Sequence, residues 1–301
     1  MGMLEAHGAL AGKIAIVVGG AAGFLGRGAT LALAGAGVRV ICCDNDREGI
    51  AAIAGEAAGL KGSVEAHYAD VTDPASLDAF YDRLDAEVGR ADILINMAGG
   101  VRRNLFAKTT RADHGRDIRL NYGCVVDSCH RALPLLAKSG ANGGTGGGSI
   151  VNFTTIEAHR GAATFAVYAG AKAATTNFSR ALAVELGAEQ IRVNCIATDT
   201  TLARASNAAL APEDFVRLAE LGEDALAKSI EFYVPQKRPP SVDDVMNGIL
   251  FLVSDLSRSI TGTTLHIDGG TIASLGFLDW PNGDGFMPAP LGGSLKKLLS
   301  E

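Results

Sequence analysis

The sequence predicts a single α/β domain built on a doubly wound parallel sheet, and three observations carry that prediction. Short apolar runs alternate with longer alanine- and leucine-rich segments along the chain. The runs are apolar on both faces, as strands covered by helices on both sides must be. Glycines cluster where the first run meets the first helical segment, in "IAIVVGGAAGFLGRGAT", residues 14 to 30. Crossovers between such strands are right-handed, so a ligand site belongs at the strands' carboxyl ends.

Taken in order, "KIAIVVGG" is the first strand and "LGRGATLALAGAG" a helix closed by glycine. "VRVICCD" is a second strand and "REGIAAIAGEAAGL" its helix. "SVEAHYADV" gives strand three, "PASLDAFYDRLDAEVG" helix three, and "ADILINMAGG" strand four. One long helix is predicted over about 111 to 138, followed by strand five in "GSIVNFTT". A helix over 164 to 188, strand six in "IRVNCIAT", a helix over 241 to 254 and strand seven in "TGTTLHIDGG" complete the pattern. "SGANGGTGGGS" reads as a flexible surface loop. The domain is expected to span 1–275, with 276–301 a tail that packs on a neighbouring subunit or near the pocket.

Bulk properties exclude several classes. The 301 residues suffice for one large core. A hydrophobic share of 48% and a charged share of 20% are those of an ordered globular chain. A net charge of −6 leaves no basic footprint for nucleic acid or an anionic membrane. No secretory signal or membrane-spanning run is evident. Cys42, Cys43, Cys124, Cys129 and Cys195 contain no C-x-x-C pair and read as reduced thiols of a cytoplasmic protein, with no metal role.

A strand–glycine loop–helix unit brings backbone N–H groups and the positive end of a helix dipole against a phosphate. Gly20, Gly23 and Gly26 fit that use. Asp44 ends strand two, 24 residues after Gly20, where a carboxylate accepts from adenosine ribose hydroxyls and repels a 2′-phosphate. The loop 19–26 holds no basic residue, so NAD is favoured over NADP, although Arg47 is near. Asp70 and Val71 occupy the next rim position, and Asn96, Ala98 and Gly99 end strand four.

Tyr168 and Lys172 are four apart in a helical segment and share one face. A phenol near pKa 10 becomes a usable base if an adjacent ammonium and a positive nicotinamide favour the phenolate. Thr155, thirteen residues before Tyr168, offers a hydroxyl to a substrate oxygen. Asn121 is placed to anchor a water relay from Lys172.

These residues together resemble the classical short-chain dehydrogenase/reductase family over roughly residues 10 to 272. The resemblance rests on "GGAAGFLG", Asp44, "DV" at 70–71, "NMAG" at 96–99, Asn121, Thr155, "YAGAK" at 168–172, "IRVNCIA" and "HIDGG". It implies a Rossmann-like seven-stranded sheet, NAD-dependent interconversion of secondary alcohols and ketones, and dimers or tetramers. Tyr168 would be the general acid/base, Lys172 would lower its pKa and hold the nicotinamide ribose, and Asn121 would keep the proton relay. Phe24 and Leu25 fall inside the phosphate loop, and Thr198 and Thr201 at the nicotinamide.

Three departures stand out: Thr155 replaces a serine, Thr198 and Asp199 replace Pro-Gly, and Phe24 replaces the middle glycine. The glycine spacing matches extended-type epimerases directly, and a non-catalytic NAD sensor is the other alternative. A substrate lid is expected over about 199–240, with Phe232 and Tyr233 as lining. Glu157, His159 and Phe165 are expected near the substrate mouth, and Arg102 and Arg103 just after strand four. Leu278, Trp280 and Phe286 make the tail too apolar for a plain linker.

Overall fold

The computed structural model describes residues 8–139, 147–199, 227–228, 230–279 and 285–288. Seven strands, β1 (Ile14–Val18), β2 (Arg39–Asp44), β3 (Ser63–Tyr68), β4 (Ile93–Asn96), β5 (Ser149–Thr155), β6 (Arg192–Thr198) and β7 (Thr264–Ile267), form one sheet. Its order is β3-β2-β1-β4-β5-β6-β7, and every pairing is parallel. The winding reverses between β1 and β4, and a crevice opens there at the carboxyl ends of the strands.

The two-sided apolar pattern has a direct structural counterpart. Ile14, Ile16 and Val18 enter one core and Ala15 and Val17 the other, so successive side chains of β1 feed opposite faces. Between β4 and β5 a polar chain crosses the sheet. Ser128 donates to Asn96 Oδ1 at 2.6 Å, Asn96 Nδ2 to Asn152 Oδ1 at 2.8 Å, and Asn152 Nδ2 to Ser179 Oγ at 2.9 Å. Each member is satisfied, as a buried network must be.

Helix starts follow local chemistry. Asp46 and Asp73 cap the helices Arg47–Glu56 and Pro74–Glu87, and Ser241 with Asp244 forms a capping box on Val242–Val253. The helix expected over 111 to 138 is interrupted. Arg111–Ile118 and Cys124–Leu136 are α-helical, and Arg119–Gly123 between them is a π-helical turn. Two side chains bear on this turn: Thr175 Oγ1 donates to the Asn121 carbonyl at 3.0 Å, and Asn121 Nδ2 donates to the Asp117 carbonyl at 3.0 Å. Side chains thus occupy carbonyls that a regular ladder would use.

The helix expected over 164 to 188 is Ala166–Glu185, closed by a 3₁₀ turn at Leu186–Glu189. After β7, β8 (Phe277–Asp279) and β9 (Phe286–Pro288) form an antiparallel hairpin. Lys237 bonds to Asp279, and its ammonium lies 4.8 Å from the centre of the Phe286 ring. The described part of the tail therefore packs on its own chain, at the end of the expected lid. Trp280, Thr201 and most of the lid lie outside the described residues.

Candidate active site

A cleft of about 450 Å³ lies at the switch point, lined by Gly19, Gly23, Phe24, Leu25, Gly26, Asp44, Val71, Ala98 and Gly99 among others. Its floor is the loop after β1. Gly19 has a φ of 80° and Gly23 a φ of 65°, backbone that favours glycine. A Cβ on Gly26 would stand 2.0 Å from the Gly19 carbonyl oxygen, so only glycine lets the helix Phe24–Gly35 meet the loop. That helix has no side-chain cap and no acid in its first turn. Its free N–H groups and dipole are those of an anion site, and they fit a pyrophosphate.

Asp44 is only 8% exposed. Its Oδ2 accepts from Ala21 N at 3.1 Å and Ala22 N at 2.9 Å, and its Oδ1 from Asn45 N at 2.9 Å and Asp46 N at 3.2 Å. The carboxylate is thus part of the loop's own framework as well as of the cleft wall.

Three expected cofactor positions are used differently. Gly20 faces inward, where a Cβ would meet Val17 and Cys42 below 3.0 Å, and Gly19 lines the cleft instead. Asp70 spends its Oδ1 on Thr72 N at 2.9 Å and Thr72 Oγ1 at 2.7 Å, so its side chain builds a turn. Asn96 belongs to the buried network between β4 and β5, leaving Met97 on the wall. The sequence reading also missed Ala22, Asn45, Ala69, Leu120 and Phe153 on that wall. Several adjoin residues it did name, and strand-end neighbours were the available signal.

Deeper in, β5 delivers Thr155 and the helix Ala166–Glu185 delivers Tyr168 and Lys172. The Thr155 hydroxyl stands near enough to Tyr168 to favour its phenolate. Lys172 Nζ donates to the Phe153 carbonyl at 2.9 Å. Asn121 is fully buried, accepting from Gly100 N at 3.1 Å and donating to Gly100 O at 2.9 Å. A Cβ on Gly99 would lie 3.0 Å from both Asn121 Oδ1 and Lys172 Nζ, so the glycine brings three segments together. Thr198 ends β6 beside Thr155, its carbonyl oxygen 3.4 Å from Thr155 Oγ1.

The electrostatics depart from expectation. Burial, and then the Glu157 carboxylate, push the Tyr168 phenol up to about 12, against a lowering from the Thr155 hydroxyl. Lys172 is itself lowered by burial. Lys172 is not among the causes of the Tyr168 shift, and its ammonium is directed at the Phe153 carbonyl.

Thr155 also donates to Glu157, whose other oxygen accepts from Arg160 at 2.8 Å. Arg160 lies 5.7 Å from the Tyr233 ring centre, and Tyr233 donates to Asp199 at 2.7 Å. His159 packs edge-on to His266, with centroids 4.7 Å apart. The Arg103 guanidinium lies 5.6 Å from the Phe165 ring, which neighbours Tyr168. Among the described residues no group of three His, Cys, Asp or Glu side chains is placed to hold a metal ion. None of the helices described is long and apolar enough to cross a membrane.

Comparison with known proteins shows the family and the fold. A family model described as enoyl-(acyl carrier protein) reductase matches residues 20–271. The 3-oxoacyl-(acyl-carrier-protein) reductase of Thermotoga maritima is 30% identical over 267 residues, 87% of this chain and 99% of the relative. D-threitol dehydrogenase of Mycolicibacterium smegmatis is 31% identical over 265 residues, covering 87% and 93%. A 7α-hydroxysteroid dehydrogenase solved with NADH and 7-oxoglycochenodeoxycholic acid superposes with a TM-score of 0.76 at 29% identity, covering 88% and 96%. The chain belongs to the short-chain dehydrogenase/reductase family, whose members are oxidoreductases of CH–OH and keto groups that bind nicotinamide cofactors.

Proposed function

We propose that this protein interconverts a secondary alcohol and a ketone, with NAD as the hydride partner. The observation that carries the reading is the placing of the Thr155 hydroxyl where it acts on the Tyr168 phenol, beside the point where Lys172 and Asn121 converge on Gly99. A nicotinamide ring supplies hydride exchange at the substrate carbon when it is bound. Thr155 and Tyr168 hold the reacting oxygen, and Tyr168 takes its proton in oxidation or returns it in reduction. Lys172 and Asn121 supply the charge and polar groups for passing that proton onward. Gly19, Gly23, Phe24, Leu25 and Gly26 would hold the pyrophosphate, with Val71, Ala98, Gly99, Thr198 and Thr201 along the rest of the dinucleotide.

Preference for NAD is supported by Asp44 on the cleft wall, where a carboxylate repels a 2′-phosphate. The nearby cations are engaged elsewhere: Arg27 pairs with Glu56, and Arg47 stacks on Tyr68 with its guanidinium 4.3 Å from the ring centre. The five cysteines are free and buried, which supports a reducing, cytoplasmic setting. A homo-oligomer is supported by exposed apolar residues on the helices flanking the site, Ile118 at 47% and Val184 at 85%. We retain a single domain through residue 275 with a lid over about 199–240.

The test is NADH formation with a panel of secondary alcohols, repeated with NADP and with Tyr168→Phe. Turnover with NAD that falls by about 10²–10⁴ in the variant is expected. Tight NAD binding without turnover of any alcohol would return the sensor reading.

A further inference from the structure

We infer that Glu157 is a specificity-determining residue that selects substrates carrying a second hydroxyl on the carbon next to the reacting one. The inference rests on the alcohol–ketone reading above and deepens it to a substrate class, the vicinal diols.

Glu157 lies in the short 3₁₀ turn Ile156–Ala158 that follows β5, two residues after Thr155. Its side chain is 14% exposed, and one oxygen accepts from the Thr155 hydroxyl while the other accepts from Arg160 at 2.8 Å. A carboxylate offers about four lone-pair sites and no donor, so these two bonds leave acceptor capacity unused. The same carboxylate is close enough to Tyr168 to raise its pKa. It therefore borders the space between Thr155 and Tyr168 where the reacting oxygen is held.

The direction of the Thr155 bond matters. A threonine hydroxyl has one proton, and here Glu157 takes it. Thr155 then presents only lone pairs to the reacting oxygen and has no proton to give the carbonyl that forms. A hydroxyl on the neighbouring carbon stands one hydrogen-bond length from the reacting oxygen. That hydroxyl can donate to Glu157 in place of Thr155, and the Thr155 proton becomes available to the oxygen that turns into a carbonyl. One extra substrate hydroxyl thus satisfies Glu157 and completes the oxygen site in the same move.

Substrates with only acceptors at that carbon fare worse. A second carbonyl on that carbon, as in a vicinal diketone, would face the carboxylate with no proton between them, and an unmatched polar contact in a closed site costs discrimination of tenfold or more. A cation is not favoured either. Arg160 neutralises Glu157 at 2.8 Å and lies beside the Tyr233 ring, 5.7 Å from its centre. An ammonium would gain no net charge attraction from the pair.

The experiment compares kcat/KM for butane-2,3-diol, butan-2-ol and 3-aminobutan-2-ol in the full-length wild type, Glu157→Leu and Glu157→Gln, with folding checked by thermal melt. We expect wild type to prefer the diol over the mono-alcohol by about tenfold or more, the discrimination one hydrogen bond to a charged acceptor can carry. The ratio should fall to near one in Glu157→Leu. Should that variant not fold, the isosteric Glu157→Gln, which keeps only a neutral acceptor, must still show a reduced ratio. Equal kcat/KM for the diol and butan-2-ol in wild type overturns the inference and leaves the dehydrogenase reading standing. So does a preference unchanged in the Glu157 variants, or one for the amino alcohol over the diol. No turnover of any alcohol overturns both.

Discussion

Lys172 donates its ammonium to the main-chain carbonyl of Phe153 at 2.9 Å, so a helix side chain is anchored by the strand that also carries Thr155. Phe153 itself lines the cleft at the switch point. The charge is therefore positioned by the backbone and not by Tyr168. Lys172→Met should lower kcat/KM by about 10²-fold, within the range for general acid–base assistance. Lys172→Arg should not restore it, because a planar fork cannot occupy a point-charge site. Steady-state kinetics of both variants check this.

Tyr168 carries a phenol pushed up to about 12, with the Glu157 carboxylate among the causes. Removing a negative neighbour favours the phenolate and lowers its pKa. For alcohol oxidation, where the phenolate is the base, Glu157→Gln should move the alkaline plateau of kcat/KM to lower pH. A pH–rate profile that is unchanged or moved upward would contradict the geometry.

Two glycines of one helix should respond oppositely to alanine. In Gly26→Ala the new methyl would stand 2.0 Å from the Gly19 carbonyl oxygen and force the phosphate loop apart. Overpacking of this kind costs about 1–3 kcal/mol, and NAD affinity should fall at least tenfold by fluorescence titration. Gly35, at the end of the same helix, has open space where its Cβ would be. Gly35→Ala should stabilise by about 0.4–1 kcal/mol in urea unfolding.

His159 packs against His266, and its pKa is lowered from 6.5 by burial first, then by His266 and Arg180. The folded protein holds His159 neutral where the unfolded chain would protonate it. Stability should therefore be unaffected above pH 6.5 and decline as pH falls from there through the lowered value. His159→Phe should flatten that part of the curve, as read by melting temperature against pH.

The fold was legible because each buried strand writes its own two-faced apolar run, and β1 feeds both cores residue by residue. The order Thr155, Tyr168, Lys172 was legible for a related reason: a strand end and one helix face fix their spacing. What the sequence could not show was where a polar side chain spends its bonds. Asn96 and Asp70 stand at the cleft's edge in sequence, yet one completes a buried network and the other a turn. The π-helical turn at Asn121 accepts a bond from Thr175, 54 positions away, and no local pattern carries that information. Glu157 was placed near the substrate mouth, but its pairing with both Thr155 and Arg160 emerged only from the folded chain.

Asp44 has a consequence for anyone who would re-engineer cofactor choice. The side chain on the cleft wall is also the acceptor for four main-chain N–H groups, two of them from the phosphate loop. Exchanging it for a neutral or basic residue to admit a 2′-phosphate would leave those amides without their acceptor and loosen the pyrophosphate cradle at the same stroke. The carboxylate proposed to choose the cofactor thus also holds the loop together, and redesign has to begin at Asn45 or Arg47 and leave Asp44 in place.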